Sequence, residues 1–212
     1  MPVEHTNSKY CEALKTVVRD RNSQGVFLIN TLTALGNEAG RIICEKELVD
    51  VGSVVTPMDL PAKGYYIPKH NSLVAATSDD FRCFAKGVSQ ALLGSKECEM
   101  DFARLRGQDS LSGPVRTADI PFVKGEEIDL LIVAKSVLAT GCTAVALTKE
   151  VYKVVTPKKL VITTAFYSKK GVADLKAEFP TAIILLCGQE ADDINDDGML
   201  TPGIGLIEDR LK

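Results

Sequence analysis

Residues 129–149, DLLIVAKSVLATGCTAVALTK, constrain the fold more than any other stretch. The apolar run at 130–134 lacks polar alternation, the pattern of a parallel strand buried on both faces. It gives way to a loop of small residues, Ala139-Thr140-Gly141-Cys142-Thr143, and at once to helical spacing in Val145, Leu147 and Val151. Strand, tight loop and helix start leave a row of unpaired backbone N–H groups at the positive end of a helix dipole, which is the geometry of a phosphate seat. An ordinary strand-to-helix turn gives the same pattern. The Gly-Lys-Ser/Thr of a Walker loop and the three glycines of a dinucleotide fingerprint are both missing.

The rest of the chain repeats the alternation of strand and helix. Residues 1–9 read as a frayed terminus. Tyr10, Leu14, Val17 and Val18 share a helical stripe, and residues 27–47 carry a second one through Phe27, Leu28, Leu32, Leu35, Ala39, Ile42 and Ile43. Residues 49–56 read as a strand near an edge, ended by Pro57, and Pro61, Gly64 and Pro68 mark a loop. A core strand follows at 72–77, then a helix with Phe81, Phe84, Val88, Ala91 and Leu92, for which Ser78 or Asp79 is a candidate cap. Residues 99–105 read as a strand and 106–117 as a long loop of the lid or hairpin kind. Beyond the central stretch come a strand at 159–165, a helix at 170–178, a strand at 181–187 and an acidic, turn-rich segment at 192–205. This order predicts one α/β domain over residues 1–212, a mainly parallel sheet flanked by helices: amino-terminal helices at about 9–47, a core at about 48–187 and a terminal segment at about 188–212.

Composition narrows the function classes. A net charge of −3 offers no general basic surface, so neither nucleic acid nor an acidic membrane is the expected partner. No window approaches the roughly 18 apolar residues of a membrane span, and the first twenty residues lack a signal peptide's apolar segment, so a cytoplasmic location is expected. The six cysteines are scattered, with no C-x-x-C pair, and read as reduced small hydrophobes. Cys142 differs, because a helix N-terminus lowers a thiol pKa.

The loop, with the residues before it, stands as Lys135-Ser136-Val137-Leu138-Ala139-Thr140-Gly141, and it resembles the Asp-Pro-Met-Leu-Ala-Thr-Gly signature with which uracil phosphoribosyltransferases bind phosphoribosyl pyrophosphate (PRPP). A second segment, residues 193–210, resembles that family's uracil-binding stretch in Asn195, Gly198, Pro202, Gly203, Gly205, Asp209 and Arg210, in register without a gap. Val18-Arg19-Asp20, Asn37-Glu38-Ala39 and Ile120-Pro121 resemble further landmarks of the family. The resemblance implies a phosphoribosyltransferase-like fold with a carboxyl-terminal uracil hood, usually as a homodimer. It also implies pyrimidine salvage: uracil and PRPP give UMP and pyrophosphate with Mg²⁺. Carried over residue by residue, it places the 5′-phosphate on Ala139, Thr140, Gly141, Cys142 and Thr143, and uracil on Leu200, Pro202, Gly203, Gly205 and Leu206.

The departures fall on the chemistry. The pyrophosphate-loop pattern Leu-Arg-Ala-Gly-Leu is here Val74-Ala75-Ala76-Thr77-Ser78, so the arginine is Ala75, Ala76 is kept and the glycine is Thr77. Asp79 and Asp80 add negative charge there, or complement a helix start. The acidic residue that holds the ribose hydroxyls is Lys135, a cation that accepts no hydrogen bond. Leu206 replaces an aspartate of the hood and Asp119 a lysine. Lys135 pairing with a phosphate, or Arg104, Arg106 and Arg116 reaching in, would offset these losses; the arginines also fit a solvated loop face. Asp192, Asp193, Asp196 and Asp197 lack the spacing of a calcium loop and read as turn and solvent. The pattern predicts a divergent, catalytically impaired homologue that keeps a nucleotide or phosphate pocket, as a nucleotide-binding protein or a subunit of a larger assembly. The alternative is an active uracil phosphoribosyltransferase, for which alone Mg²⁺ is expected.

Overall fold

The computed structural model describes residues 3–102 and 115–212. In chain order the elements are β1 (Val3–His5), α1 (Lys9–Arg19), α2 (Gly25–Glu47), β2 (Asp50–Val55), β3 (Pro61–Tyr66), β4 (Ser72–Thr77), α3 (Ser78–Phe81), α4 (Phe84–Ala91), β5 (Lys96–Phe102) and β6 (Val115–Ala118). There follow β7 (Glu126–Leu138), α5 (Cys142–Tyr152), β8 (Val155–Tyr167), α6 (Lys169–Glu178), β9 (Ile183–Leu186), β10 (Asp193–Ile194), β11 (Leu200–Thr201) and α7 (Ile207–Arg210). Among the described residues, seven strands form one sheet in the order β1-β9-β8-β7-β4-β5-β6, parallel except for the antiparallel edge pair β5–β6. Helices cover both faces, so the chain is the expected α/β fold.

Burial follows from strand alternation. Val74, Ala76, Leu130, Ile132 and Ala134 face one core with Leu28, Leu32, Leu35, Phe84 and Val88 of α2 and α4. Leu73, Ala75, Leu131, Val133 and Ile162 face the other, with Leu147, Val151 and Leu175 of α5 and α6. Each fully buried leucine contributes about 1.5–3 kcal/mol. α2 and α4 approach closely because they meet at glycines: a Cβ on Gly36 would lie 1.9 Å from the Phe84 carbonyl oxygen, and one on Gly87 equally close to that of Thr33.

Several sequence expectations are corrected. Residues 3–5 are no frayed terminus: they extend the sheet as β1, parallel to β9 with Val3 opposite Ile184, and the Thr6 hydroxyl accepts from the Gly188 N–H. The stretch expected as a loop after Pro61 is β3, which pairs antiparallel with β2 in a hairpin outside the main sheet. The helix expected from Ser78 is two, α3 and α4, with Thr77 as the N-cap residue of the first. β7 and β8 are 13 residues each, much longer than their apolar centres. Arg104, Arg106 and most of the expected long loop lie outside the described residues. Among those described, no helix is long and apolar enough to cross a membrane.

Candidate functional site

The carboxyl ends of the parallel strands share one edge of the sheet, and the three candidate segments meet there. At the end of β7, Gly141 caps α5 in the left-handed region at φ +77°, a conformation that strains any residue with a Cβ. Val145 N–H bonds the Gly141 carbonyl at 3.0 Å and closes the first turn, which leaves the N–H groups of Cys142, Thr143 and Ala144 without a carbonyl inside the helix. The loop is braced from behind by the start of α6. Ser168, the N-cap of α6, donates through its hydroxyl to the Ala139 carbonyl at 2.5 Å and accepts from the Gly171 N–H at 2.8 Å. Gly171 lies so close that a Cβ there would sit 2.5 Å from the Ala139 carbonyl oxygen. Gly141 is buried in this brace, Ala139, Thr140 and Cys142 are half-buried, and Thr143 is exposed. The N–H groups at the start of α5 are thus left to a partner from outside the helix, above a loop held by Ser168 and Gly171.

Beside the loop lies the crevice between β4 and β7. Ala75 and Ala76 are fully buried within β4, and Thr77 ends it. The Asp80 side chain is wholly buried. Its carboxylate accepts from the Lys135 ammonium at 2.5 Å, the Ser136 N–H at 2.9 Å and the Thr77 hydroxyl at 3.2 Å. Asp79 and Asp80 lie in the first turn of α3, as the helix-start reading expects, and Asp80 in addition bonds to a residue 55 positions away. Lys135, in the place of the ribose-binding acid, is the cover over that carboxylate.

The third segment is the hood. The Asp192 N–H donates to the Tyr167 carbonyl at 2.7 Å, tying the segment to the end of β8. Asp192 itself is buried and grips Arg19 of α1 through contacts at 2.7 and 3.1 Å, so its reading as a solvated turn residue is corrected. Arg19 also donates to the Gly203 carbonyl at 2.9 Å and lies 4.9 Å from the centre of the Phe166 ring. Arg210 donates to the carbonyls of Ile204, Asp20 and Ser23, at 2.6, 2.7 and 2.8 Å. Between these clamps Leu200 and Gly203 are buried, and Pro202, Gly205 and Leu206 are exposed. Asp193, Asp196 and Asp197 are exposed, and Asn195 closes the turn by accepting from the Asp197 and Met199 N–H groups.

Next to the hood a thiol pair lies under α1. The hydrogen bond from Cys187, the Thr6 hydroxyl at 3.2 Å and the Lys15 ammonium pull the Cys11 thiol from 9.0 down to about 7 against its burial. The same bond, with complete burial, pushes Cys187 up. Sequence reading singled out Cys142 and missed this pair, as it missed Ser168 and the reach of Asp80. Among the described residues no group of three or more His, Cys, Asp or Glu is placed to hold a metal ion. Asp80 is engaged already, so these side chains form no cage for Mg²⁺.

A family model described as uracil phosphoribosyltransferase matches residues 116–211. The uracil phosphoribosyltransferase of Methanococcus maripaludis is 35% identical over 206 residues, covering 96% of this chain and 86% of that protein. That of Thermococcus gammatolerans is 26% identical over 219 residues, covering 96% and 89%. Among solved structures, the AQ2163 protein from Aquifex aeolicus has the same fold, with a TM-score of 0.83 at 20% identity and coverage of 99% and 97%.

Proposed function

The chain belongs to the uracil phosphoribosyltransferase family, and on that footing we propose that it transfers the phosphoribosyl group of PRPP to uracil, giving UMP and pyrophosphate. The observation that carries this reading is the braced loop at residues 139–143, whose N–H groups, unpaired at a helix start, suit a 5′-phosphate. In this reading the hood holds uracil through backbone groups around Pro202 to Leu206, since the Arg19 and Arg210 clamps fix that backbone from behind. Pyrophosphate leaves toward the ends of β4 and β7, where Lys135 is the cation nearest the departing charge. UMP formation from uracil, PRPP and Mg²⁺ tests it.

A second reading is favoured by one observation: Ala75 brings no cation and Lys135 is held by Asp80. The protein would then bind a nucleotide or phosphate without turnover, alone or within a larger assembly. A folded protein that makes no UMP yet gains thermal stability from UMP or phosphate supports this second reading. One indifferent to both ligands leaves a scaffold.

The proposal includes a homodimer acting in the cytoplasm. What supports pairing is the β2–β3 hairpin, where Val51, Val55, Met58, Leu60 and Tyr65 are all more than 60% exposed. Apolar surface of that kind on a hairpin invites a second chain. Sedimentation should give a dimer, and Val55→Asp with Met58→Asp a monomer.

A further inference from the structure

One face of α1 carries Cys11, Lys15 and Arg19, spaced four residues apart, and each of the three meets the segment from 187 to 203. Arg19 holds Asp192 and the Gly203 carbonyl, and the Lys15 ammonium donates to the Cys187 carbonyl at 2.7 Å. Cys11 meets the Cys187 thiol, which donates to it from the other end of the chain. The Thr6 hydroxyl ties the two together: it donates to the Cys11 sulfur at 3.2 Å and accepts from the N–H of Gly188, the neighbour of Cys187, at 2.8 Å. All six cysteines are free, but their surroundings differ. Cys83 and Cys98 are small hydrophobes in the core, where burial keeps the proton on the sulfur. At Cys11 the Cys187 thiol, the Thr6 hydroxyl and the charge of Lys15 converge on one sulfur, the setting that holds a thiolate. A nucleophilic sulfur in contact with a second thiol has what a disulfide needs.

We propose that Cys11 and Cys187 are a reversible redox couple, joined by hydrogen peroxide into a disulfide that fastens α1 onto the segment from 187 to 203. The Cys11 thiolate attacks one peroxide oxygen, the other leaves as hydroxide, and Cys11 becomes a sulfenic acid. The Cys187 sulfur then attacks the Cys11 sulfur, and the Cys187 proton leaves with the displaced hydroxyl as water. In sum, two thiols and one peroxide give one disulfide and two waters, and a dithiol reductant reverses the change. Both sulfurs are covered, but thinly: His5 and Gln189, next in the chain to Thr6 and Gly188, are exposed, and β1 is a three-residue strand at the edge of the sheet. A short edge strand near a terminus opens at low cost, and that opening admits peroxide. The bond adds a covalent tie beside the Lys15 and Arg19 contacts, so it also holds the helix that clamps the hood. The couple goes beyond the transferase reading and stands whether or not UMP is made.

The full chain treated with hydrogen peroxide, then unfolded, alkylated, digested and mapped by mass spectrometry tests the couple. The Cys11 peptide should be found linked to the Cys187 peptide, and dithiothreitol before alkylation should abolish the link. The oxidised protein should melt about 5–15 °C higher than the reduced one, as for a disulfide that closes a long loop, and dithiothreitol should return it to the reduced value. In Cys187→Ser the Cys11 sulfur should stop at the sulfenic acid and be trapped by dimedone, whereas Cys44→Ser should leave the link intact. Should Cys187→Ser misfold, the wild-type peptide map and melting shift decide alone. Cys11 and Cys187 recovered as alkylated thiols, or Cys11 linked to a different cysteine, overturns the couple. A link between them that leaves Tm unchanged overturns the fastening of α1.

Discussion

The phosphate loop and the crevice beside it are made of different material. The loop is backbone: its donors are N–H groups, its shape comes from Gly141 at φ +77°, and its support is one hydroxyl and one glycine of α6. The crevice is side chain, and the carboxylate and ammonium that meet there come from residues 80 and 135. A backbone site survives most changes of residue type, because any small residue keeps the N–H. A side-chain site can be rebuilt from the opposite strand without moving the fold.

The largest effect expected from that difference is at Asp80. Asp80→Ala leaves the Lys135 ammonium buried without its counter-charge and the Ser136 N–H without an acceptor, and should cost about 3–5 kcal/mol in urea unfolding. The double variant Asp80→Asn/Lys135→Met removes both charges and should cost far less, within about 1 kcal/mol of wild type. If the two cost the same, the crevice is held by packing and the contrast with the loop fails.

The loop is probed from behind rather than by its own residues. In Gly171→Ala the new Cβ would lie 2.5 Å from the Ala139 carbonyl oxygen and 3.0 Å from that of Leu138, both backbone atoms that cannot rotate away. Overpacking of this kind costs about 1–3 kcal/mol. UMP affinity should fall with it, because the displaced carbonyl carries the loop's N–H groups along. Loss of stability with unchanged UMP affinity would show that the ligand does not sit on residues 139–143.

What the sequence made legible divides along the same line. The β7–loop–α5 unit was readable because its period changes from apolar run to helical spacing within a few residues, and local pattern determines local backbone. β1 and β3 were not readable: three residues at a terminus and a strand beginning at Pro61 carry no period, and pairing with a distant partner decides them. The clamps were half legible, since Arg19 and Arg210 stood within recognisable landmarks, but their acceptors are carbonyls that no composition reveals. Asp80 was read as surplus charge beside an anion site. The signal that it belonged to Lys135 was the count, for with Arg and Asp replaced by Ala75 and Lys135, Asp80 restores one charge of each sign.

A smaller effect is expected at Ser168, the side chain that joins loop to helix. Ser168→Ala removes the N-cap acceptor of the Gly171 N–H and the donor to the Ala139 carbonyl, and loss of such a cap costs about 1 kcal/mol. Ser168→Thr keeps the hydroxyl and should recover most of the loss in thermal unfolding. An Ala variant as stable as wild type would mean that Gly171 alone braces the loop.

The smallest effect concerns the thiols and is read from the pH dependence of stability. Cys11 is pulled from 9.0 to about 7 by its bond to Cys187, by Thr6 and by Lys15, whereas burial raises Cys44, Cys83 and Cys98, the latter two to about 12. Cys187 is also raised, by its bond to Cys11 and by burial. Between pH 7 and 9 the unfolded chain keeps the Cys11 proton that the folded chain has released, so stability rises with pH; conversely, that contribution is lost as pH falls through about 7. Above pH 9 the unfolded chain loses protons that the four raised thiols retain in the fold, and stability falls. About 1 kcal/mol moves Tm by roughly 2–4 °C for a domain of this size, so the contribution of Cys11 amounts to a few degrees, most clearly seen between pH 7 and about 8, before the raised thiols offset it. Cys11→Ser should flatten that rise and leave the fall above pH 9 in place. An unchanged slope between pH 7 and 9 would mean that Cys11 stays protonated in the fold, and that Lys15 serves only to hold the Cys187 carbonyl.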